Sequence, residues 1–196
     1  MLYQRNDAVT TFTYAPLTSD RLEDYLRFFE TRAFTDNPRW ASCYCFFPLH
    51  DPRHTEWTRR SASDNRDAVA ACIRSGTARG MLAYLEGSVV GWCNAGPWSQ
   101  FPMLHESPEP EPDRVGVIFC FVVAPEHRGQ GVATGLLAAA CDNLRAQGLH
   151  TVRAKPLQSA VGPAANHLGP LSLYLHAGFR IVREAGEDVH VEKALT

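Results

Sequence analysis

The heptapeptide HRGQGVA, from His127 to Ala133, stands between an apolar run and an amphipathic one. Glycine adopts backbone angles that other residues resist, and it lets a ligand approach the main chain closely. The amphipathic run predicts a helix from Val132, and a helix N-terminus offers free N–H groups and the positive end of a dipole. Because both features favour a phosphate, the heptapeptide is interpreted as a phosphate-binding turn.

The segments on either side of this turn predict a strand–helix–strand unit. Residues 115–123 (VGVIFCFVV) are nearly all apolar, which is typical of a central strand buried on both faces. Residues 132–147 carry apolar side chains at helical spacing and are followed by Gly148, a common helix terminator. Residues 151–155 then predict the next strand.

The remaining chain adds strands, helices and two long loops. Further strands are predicted over residues 10–17, 81–85, 89–94, 179–183 and 189–193. Helices are predicted after a cap at Ser19-Asp20, over 64–74 and over 171–176, and loops over 99–113 and 156–170. This order of elements predicts a mixed sheet with helices on both faces.

The composition is that of an ordinary globular protein. The chain has 196 residues, of which 45% are hydrophobic and 20% charged, and its net charge is −2. We therefore expect one domain over residues 1–196, without the basic surface that nucleic-acid binding requires. No apolar stretch approaches the roughly 20 residues of a membrane helix, and the first residues lack an apolar signal core. The sequence thus predicts a cytoplasmic protein whose six cysteines are free thiols.

Two other phosphate-binding families fit the turn poorly. A dinucleotide-binding fingerprint requires a third glycine three positions after the second, where Thr134 stands, and an acidic residue near the end of the next strand. A P-loop requires Gly-Lys-Ser/Thr, which is absent from the turn.

A second motif, LYLHAGF, follows the turn after one further strand and a loop. Together the two motifs resemble those of the GNAT superfamily of acyl-CoA-dependent N-acyltransferases. The matching residues are Arg128, Gly131 and Ala133 in the first motif and Tyr174, Gly178 and Phe179 in the second. The resemblance is best from about residue 81 to residue 183. It implies an α/β (α+β) GNAT fold, with a mixed, mostly antiparallel sheet of about six to seven strands and helices on both faces.

The resemblance also implies how the chain would bind acetyl-CoA as a co-substrate. The pyrophosphate would lie against main-chain N–H groups of the turn, and the pantetheine arm against the end of the strand before it. The expected contacts are Phe121, Val122, Val123, Arg128, Gly129, Gln130, Gly131, Val132, Ala133 and Thr134, with Asn166 as a further contact. Tyr174 matches the family tyrosine that gives a proton to the departing CoA thiolate.

The chain departs from the family pattern at the general base. Many members carry an acidic residue on the strand before the turn, whereas residues 115–123 contain none. Three sources of the base remain: the acidic loop, with Glu106 as first candidate, a chain of waters, or an acceptor amine that arrives neutral.

The acceptor site is expected around the segment WASCYCFFP, residues 40–48. Its W-x-x-C-x-C pattern is similar to that of a GNAT branch with poorly defined substrates. Trp40, Cys43, Tyr44 and Cys45 are predicted to line the acceptor pocket, with both cysteines on one side of an extended segment. Trp92 and Asn94, on the third predicted strand, are further candidates. Plain packing is the alternative for all six, and Cys43, Cys45, His50 and His54 also have a loosely zinc-like spacing, although no metal is expected.

The sequence therefore predicts an enzyme that moves an acetyl group from acetyl-CoA to a primary amine by direct attack in a ternary complex. The expected acceptor is a small molecule, with a peptide or protein amine as the alternative. A non-catalytic acyl-CoA-binding module and a zinc-dependent regulator are the hypotheses from other classes. We expect no nucleic-acid or membrane partner, and a homodimer is compatible with the family.

Overall fold

The computed structural model describes residues 11–106, 109–158 and 163–195. The strands are β1 (Thr13–Pro16), β2 (Gly80–Leu85), β3 (Ser88–Pro97), β4 (Val115–Val123), β5 (Thr151–Ala154), β6 (Arg180–Ala185) and β7 (Asp188–Ala194). The α-helices are α1 (Leu22–Thr31), α2 (Ala62–Arg74), α3 (Val132–Ala146) and α4 (Leu171–His176). In the described part of the chain, no helix is long and apolar enough to cross a bilayer.

Seven strands form one sheet in the order β1-β2-β3-β4-β5-β7-β6. All neighbouring pairs are antiparallel except β4 and β5, which run parallel because α3 carries the chain across the sheet between them. The prediction of a mixed, mostly antiparallel sheet of six to seven strands is therefore confirmed.

The two faces of the sheet bury separate cores. On one face, α3 packs against the strands through Leu136, Leu137, Ala140 and Leu144. The other face is covered by α1 and α2, whose apolar side chains surround the fully buried Trp92. Because both faces are covered, the central strand is apolar along nearly its whole length, as predicted.

The middle of the sheet opens on one side of β4. β5 pairs with β4 only as far as Ile118, so the rest of β4 has β3 as its neighbour on one side alone. The register between β3 and β4 shifts between Asn94 and Ala95, which leaves Phe119 without a partner residue. This irregularity is a β-bulge, a feature that bends a strand and often stands beside a functional site.

The sequence predictions hold for most elements and fail at one helix start. β4 and α4 have the predicted bounds, and the strands predicted over residues 81–85 and 89–94 form a hairpin that turns at Glu86-Gly87. The expected cap at Ser19-Asp20 is wrong, because Ser19–Arg21 form a 3₁₀ turn before α1 without a side-chain cap. There the Arg21 guanidinium instead donates to Thr18 Oγ1 at 2.6 Å.

The helix α2 begins with a capping box that the sequence analysis did not identify. Asp64 N–H donates to Ser61 Oγ at 3.1 Å, and Ser61 N–H donates to Asp64 Oδ2 at 2.8 Å. Loss of such a cap costs about 1 kcal/mol. We expect Ser61→Ala to lower the free energy of unfolding by that amount in urea titrations, whereas Ser75→Ala, at the other end of the helix, has a smaller effect.

The same capping box makes a pH-dependent contribution to stability. The hydrogen bonds from Ser61 lower the pKa of Asp64. Since the carboxylate is the form that accepts them, their contribution is complete above the pKa of the unfolded chain and is lost as the pH falls through the folded value. The difference between wild type and Ser61→Ala is therefore expected to shrink in acid.

Candidate functional site

A large cavity extends from the start of α3 along the open side of β4. Its volume is about 1470 Å³. One end is formed by the predicted phosphate turn and the middle by residues 117–123 of β4. The other end is formed by aromatic side chains from the segment between α1 and α2 and from the segment between β3 and β4. The cavity is large enough for an extended ligand together with a second, smaller molecule.

The phosphate turn has the backbone geometry that its glycines predict. Gly129 and Gly131 have φ of +73° and +83°, in the left-handed region, and a side chain on either would project into open space. The first hydrogen bond of α3 runs from Gly135 N–H to Gly131 O. The N–H groups of the first three residues of α3, from Val132 to Thr134, therefore remain available at a wall of the cavity.

Two ion pairs fix the turn to the segment that follows α1. The Arg128 guanidinium forms two hydrogen bonds with the Asp36 carboxylate and a third, of 3.1 Å, with Val123 O. This contact with Arg128 lowers the pKa of Asp36. Arg32 binds Glu126 at 2.8 Å. Because its side chain is already occupied, Arg128 supports the turn, and the groups left to bind an anion are the main-chain N–H groups.

Of the other predicted residues of the turn and of β4, some line the cavity and one supports the turn from outside it. Phe121, Val122 and Val123 line the cavity along the open side of β4. Gln130 does not line it, because its side chain turns back and donates to Glu126 O at 2.9 Å. The strand therefore presents main-chain groups to the cavity, as an edge that could receive an extended ligand.

Asn166 lies at the same cavity, in a 3₁₀ segment (Pro163–Leu168). Its side-chain oxygen is buried and has no hydrogen-bond partner among the described residues. A buried polar atom without a partner is costly, so this oxygen marks a place where a bound ligand would supply the missing donor. The predicted Asn166 contact thus remains a prediction that the geometry favours.

Tyr174 is buried beside the cavity rather than in its wall. The ring is fully buried and packs against Phe121 and Phe179. Its hydroxyl donates to Leu168 O at 2.8 Å, and burial raises the pKa of Tyr174 well above its usual value. The hydroxyl therefore stays protonated at neutral pH, and the residue that accepts its hydrogen bond, Leu168, lines the cavity. Its role as a proton donor stays a prediction.

The far end of the cavity is a chamber with aromatic walls. We call it the aromatic chamber, and its walls are the side chains of Trp40, Phe47, Trp57, Trp98, Leu104 and Phe119. Trp40 and Phe47 remain more than a third exposed, which is unusual for such large apolar groups. Sequence analysis missed Phe47, Trp57, Leu104 and Phe119, because they come from three separate irregular segments and a β-bulge.

The predicted acceptor residues are not all in the wall. Trp40, Cys43 and Cys45 line the cavity. Tyr44, Trp92 and Asn94 lie behind it, Tyr44 packed beside Phe29 and the other two almost fully buried. The predicted extended segment is wrong: Pro38–Cys43 form a 3₁₀ helix and the next two residues adopt left-handed angles. This backbone, rather than strand alternation, brings both cysteines to one side.

The acidic loop before β4 does not supply a free carboxylate to the cavity. Glu106, the first candidate base, is exposed to solvent and lies outside the cavity wall. Glu109 forms an ion pair with Arg153, and Glu111 pairs with Arg114 at 3.0 Å. Two of the loop's acids are therefore already neutralised by arginines of the protein.

The zinc hypothesis finds no support in the arrangement of the described residues. His50 is buried between aromatic rings, next to Phe46 and Trp57. His54 is instead largely exposed and lies near Asp51. No group of three or more potential ligands among the described residues is placed to hold a metal ion.

The fold of the chain is shared with known proteins. An N-acetyltransferase from Staphylococcus aureus Mu50 is 16% identical, with a TM-score of 0.56 over 95% of this chain and 99% of that one. The protein yncA from Salmonella typhimurium, solved with its cofactor acetyl-CoA, is 16% identical, with a TM-score of 0.53 over 94% of both chains. The PaiA N-acetyltransferase from Thermoplasma acidophilum, in complex with coenzyme A, is 16% identical, with a TM-score of 0.55 over 94% and 99%.

The sequence comparisons agree with this structural likeness. No curated protein matches the chain significantly. The model of the acetyltransferase (GNAT) family, however, matches residues 20–168, which contain both β4 and the phosphate turn. This match covers most of the chain, and the structure adds a β4 that separates from β5 and a glycine turn at the start of α3. The chain therefore belongs to the acetyltransferase (GNAT) family.

Proposed function

We propose that this protein transfers the acetyl group of acetyl-CoA to the primary amine of a small molecule, by direct attack in a ternary complex. The observation that carries the proposal is the continuity of the cavity. It joins the anion-binding start of α3 to the aromatic chamber past the open side of β4. A donor and an acceptor can therefore meet at the bulge of β4 without leaving the cavity.

The residues present fit acetyl-CoA as the donor. Gly129 and Gly131 leave room for a pyrophosphate against the main chain, and the helix dipole of α3 favours its negative charge. The side-chain oxygen of Asn166 is buried without a hydrogen-bond partner among the described residues, so a group on the bound cofactor could donate to it. When bound, the thioester supplies an activated acetyl group, and an N–H of β4 near Phe121 would stabilise the oxyanion that forms on attack.

The aromatic chamber indicates the character of the acceptor. Large aromatic side chains bind flat, apolar groups, and an apolar surrounding also lowers the pKa of an ammonium group by desolvation. A bound amine would then be neutral, as nucleophilic attack requires. We therefore expect a primary amine on an aromatic or apolar body to be a better acceptor than a polyamine or a lysine side chain.

This expectation is tested with a panel of amines under one set of conditions. Purified protein is incubated with acetyl-CoA and tryptamine, phenethylamine, spermidine, a lysine-containing peptide or a peptide with a free N-terminus, and the acetylated product is measured by mass spectrometry. The proposal expects turnover to be greatest with the two aromatic amines. Preference for either peptide would instead establish the protein-amine alternative, and binding of acetyl-CoA without turnover of any amine would favour the non-catalytic module.

Trp57 provides a test of the chamber itself. It stands in the wall against Phe47, with ring centroids 4.9 Å apart. Removal of one aromatic contact costs roughly 1.4 kcal/mol, which corresponds to tenfold. We expect Trp57→Ala to raise KM for the aromatic acceptor about tenfold while KM for acetyl-CoA is unchanged. Equal changes in both constants would argue that Trp57 maintains the fold rather than the acceptor site.

A further inference from the structure

The strand β7 places a histidine, His190, in the wall of the cavity. Its neighbours along the strand, Val189 and Val191, are fully buried in the core on the α3 face of the sheet. Successive side chains of a strand point to opposite faces of the sheet. The imidazole of His190 therefore points to the face that α3 does not cover.

The face to which His190 points is that of the aromatic chamber. Arg153 on β5 is paired with Glu192 on β7, and Glu192 lies two residues from His190, on the same face of its strand. The guanidinium carbon of Arg153 lies 6.0 Å from the ring centroid of Trp98, which is one wall of the chamber. His190 therefore borders the chamber from the β7 side of the opening.

The register of the sheet places His190 level with the bulge of β4. Ile118 on β4 pairs with Ala154 on β5, and Ala154 pairs with Val191 on β7. Because β5 ends at Ala154, the next pair along the sheet, Phe119 and His190, lie level with each other without β5 between them. Two strand spacings, about 10 Å, separate the main chains of β4 and β7 at this point. His190 thus faces, across the opening, the bulge where donor and acceptor are proposed to meet.

The charged groups around His190 include a carboxylate that could stabilise a positive charge on the ring. Nε2 of His190 lies 3.3 Å from Oδ1 of Asp188. Lys155, 2.6 Å from the same oxygen, lowers the pKa of Asp188, so this group is a carboxylate at neutral pH. Arg183 lies 3.7 Å from the other oxygen of Asp188. The remaining charged groups of this face are paired in a second network, formed by Arg153, Arg180, Glu109 and Glu192.

We propose that His190 is the general base that removes the proton from the attacking amine. This assignment rests on the proposed acetyl transfer. As the N–C bond forms, the neutral imidazole takes a proton from nitrogen, directly or through one water, and the Asp188 carboxylate stabilises the imidazolium. The C–S bond of the thioester then breaks, CoA leaves as a thiolate, and the Tyr174 hydroxyl supplies its proton. His190 afterwards releases its proton to water, from which Tyr174 recovers one, so that R–NH₂ and acetyl-CoA yield the amide and free CoA.

The assignment accounts for the missing carboxylate on β4. Two carboxylates of the described cavity wall, Asp36 and Glu192, are engaged with arginines. His127 belongs to the phosphate turn, at the end of the cavity away from the chamber. His167 packs against Trp40, with ring centroids 5.0 Å apart, and is the competing histidine. A histidine two strands away then does the work of the acid that β4 lacks.

The first test needs no acceptor. Ring resonances of isotope-labelled histidines are recorded by NMR with and without acetyl-CoA, and each is assigned from its own histidine-to-glutamine variant. The proposal expects the His190 resonance to shift at saturating acetyl-CoA, because the ring borders the bound thioester. The resonance of His54, which lies outside the cavity wall, should stay in place. A His190 resonance that acetyl-CoA leaves unchanged would overturn the assignment.

The second test follows acetyl transfer to the best amine of the panel. His190→Ala should lower kcat about 100-fold, within the range of general base catalysis, and leave KM for acetyl-CoA unchanged. The rise of kcat/KM with pH in wild type should be lost in the variant, since only the neutral ring accepts a proton. His54→Ala is the matched control, because His54 also lies beside an aspartate, 3.6 Å from Asp51, but outside the cavity wall. It should keep both the rate and the pH profile.

Added imidazole separates a catalytic role of His190 from a structural one. It should restore part of the lost kcat of His190→Ala, in proportion to its neutral form, because the truncated side chain leaves space beside Asp188. A retained kcat, a retained rise with pH, or a loss that imidazole does not restore would overturn the assignment. So would a comparable loss in His167→Ala with a normal rate in His190→Ala. If no amine is acetylated although the His190 resonance shifts, it is the proposed function that fails.

Discussion

Gly131→Trp is expected to abolish the stabilisation of the protein by acetyl-CoA. Gly131 precedes α3 with φ of +83°, and a side chain there projects into the space where the pyrophosphate is proposed to bind. At about 100 times its dissociation constant, a ligand stabilises the native state by roughly 2.7 kcal/mol. Thermal unfolding with and without acetyl-CoA should show this gain in wild type and none in the variant.

Gly148→Trp provides a matched control for backbone strain. Gly148 follows the other end of α3 with φ of +84°, and a side chain there also meets open space. Both substitutions therefore impose the same left-handed strain, which lowers the melting temperature of the free protein. Only Gly131→Trp should lose the response to acetyl-CoA. A full response in Gly131→Trp would place the cofactor elsewhere.

Tyr174→Phe is expected to lower kcat about 1000-fold, within the range of general acid catalysis. Removal of the hydroxyl leaves the departing CoA thiolate without its proposed proton donor, while the buried ring keeps its packing against Phe121 and Phe179. KM for acetyl-CoA should change little. Steady-state rates of amide formation, measured with saturating acetyl-CoA, give the comparison.

The hydrogen bond from Tyr174 to Leu168 provides the competing explanation. If that bond is the whole role of the hydroxyl, Tyr174→Phe loses about 1 kcal/mol of stability and keeps its kcat. Tyr84→Phe is the control, because its hydroxyl donates to Asp24 at 3.0 Å on a part of β2 outside the cavity. It should lose stability without loss of rate. Equal kcat values in the two variants would remove Tyr174 from the mechanism.

The fold could be predicted from the sequence because its signals are local. Each of three features can be recognised from a short stretch of consecutive residues: the apolar run of β4, the glycine turn and the periodic helix α3. The predicted cap of α1 at Ser19-Asp20 is wrong because Ser19–Arg21 form a 3₁₀ turn ahead of the helix, and no side chain caps it. The box at Ser61 and Asp64 has the spacing of a known motif and was available to the sequence analysis.

The site could be predicted at the phosphate turn and only in part beyond it. Main-chain N–H groups at a helix start need no side-chain partner, so the glycines suffice to locate them. The aromatic chamber depends on contacts between distant segments: Phe47 and Trp57 precede α2, whereas Leu104 and Phe119 follow β3. No short window of sequence contains residues so far apart, and the left-handed angles at Tyr44 and Cys45 replace the extended segment that the pattern predicted.

A crystal structure of the complex with acetyl-CoA tests the central claim most directly. We predict a pyrophosphate within hydrogen-bond distance of N–H groups between Gly129 and Thr134, and a pantetheine arm along the open side of β4. The acetyl group should then lie at the bulge of β4, facing the aromatic chamber. A cofactor bound outside this cavity, or a cavity that stays empty at saturating acetyl-CoA, would contradict the account.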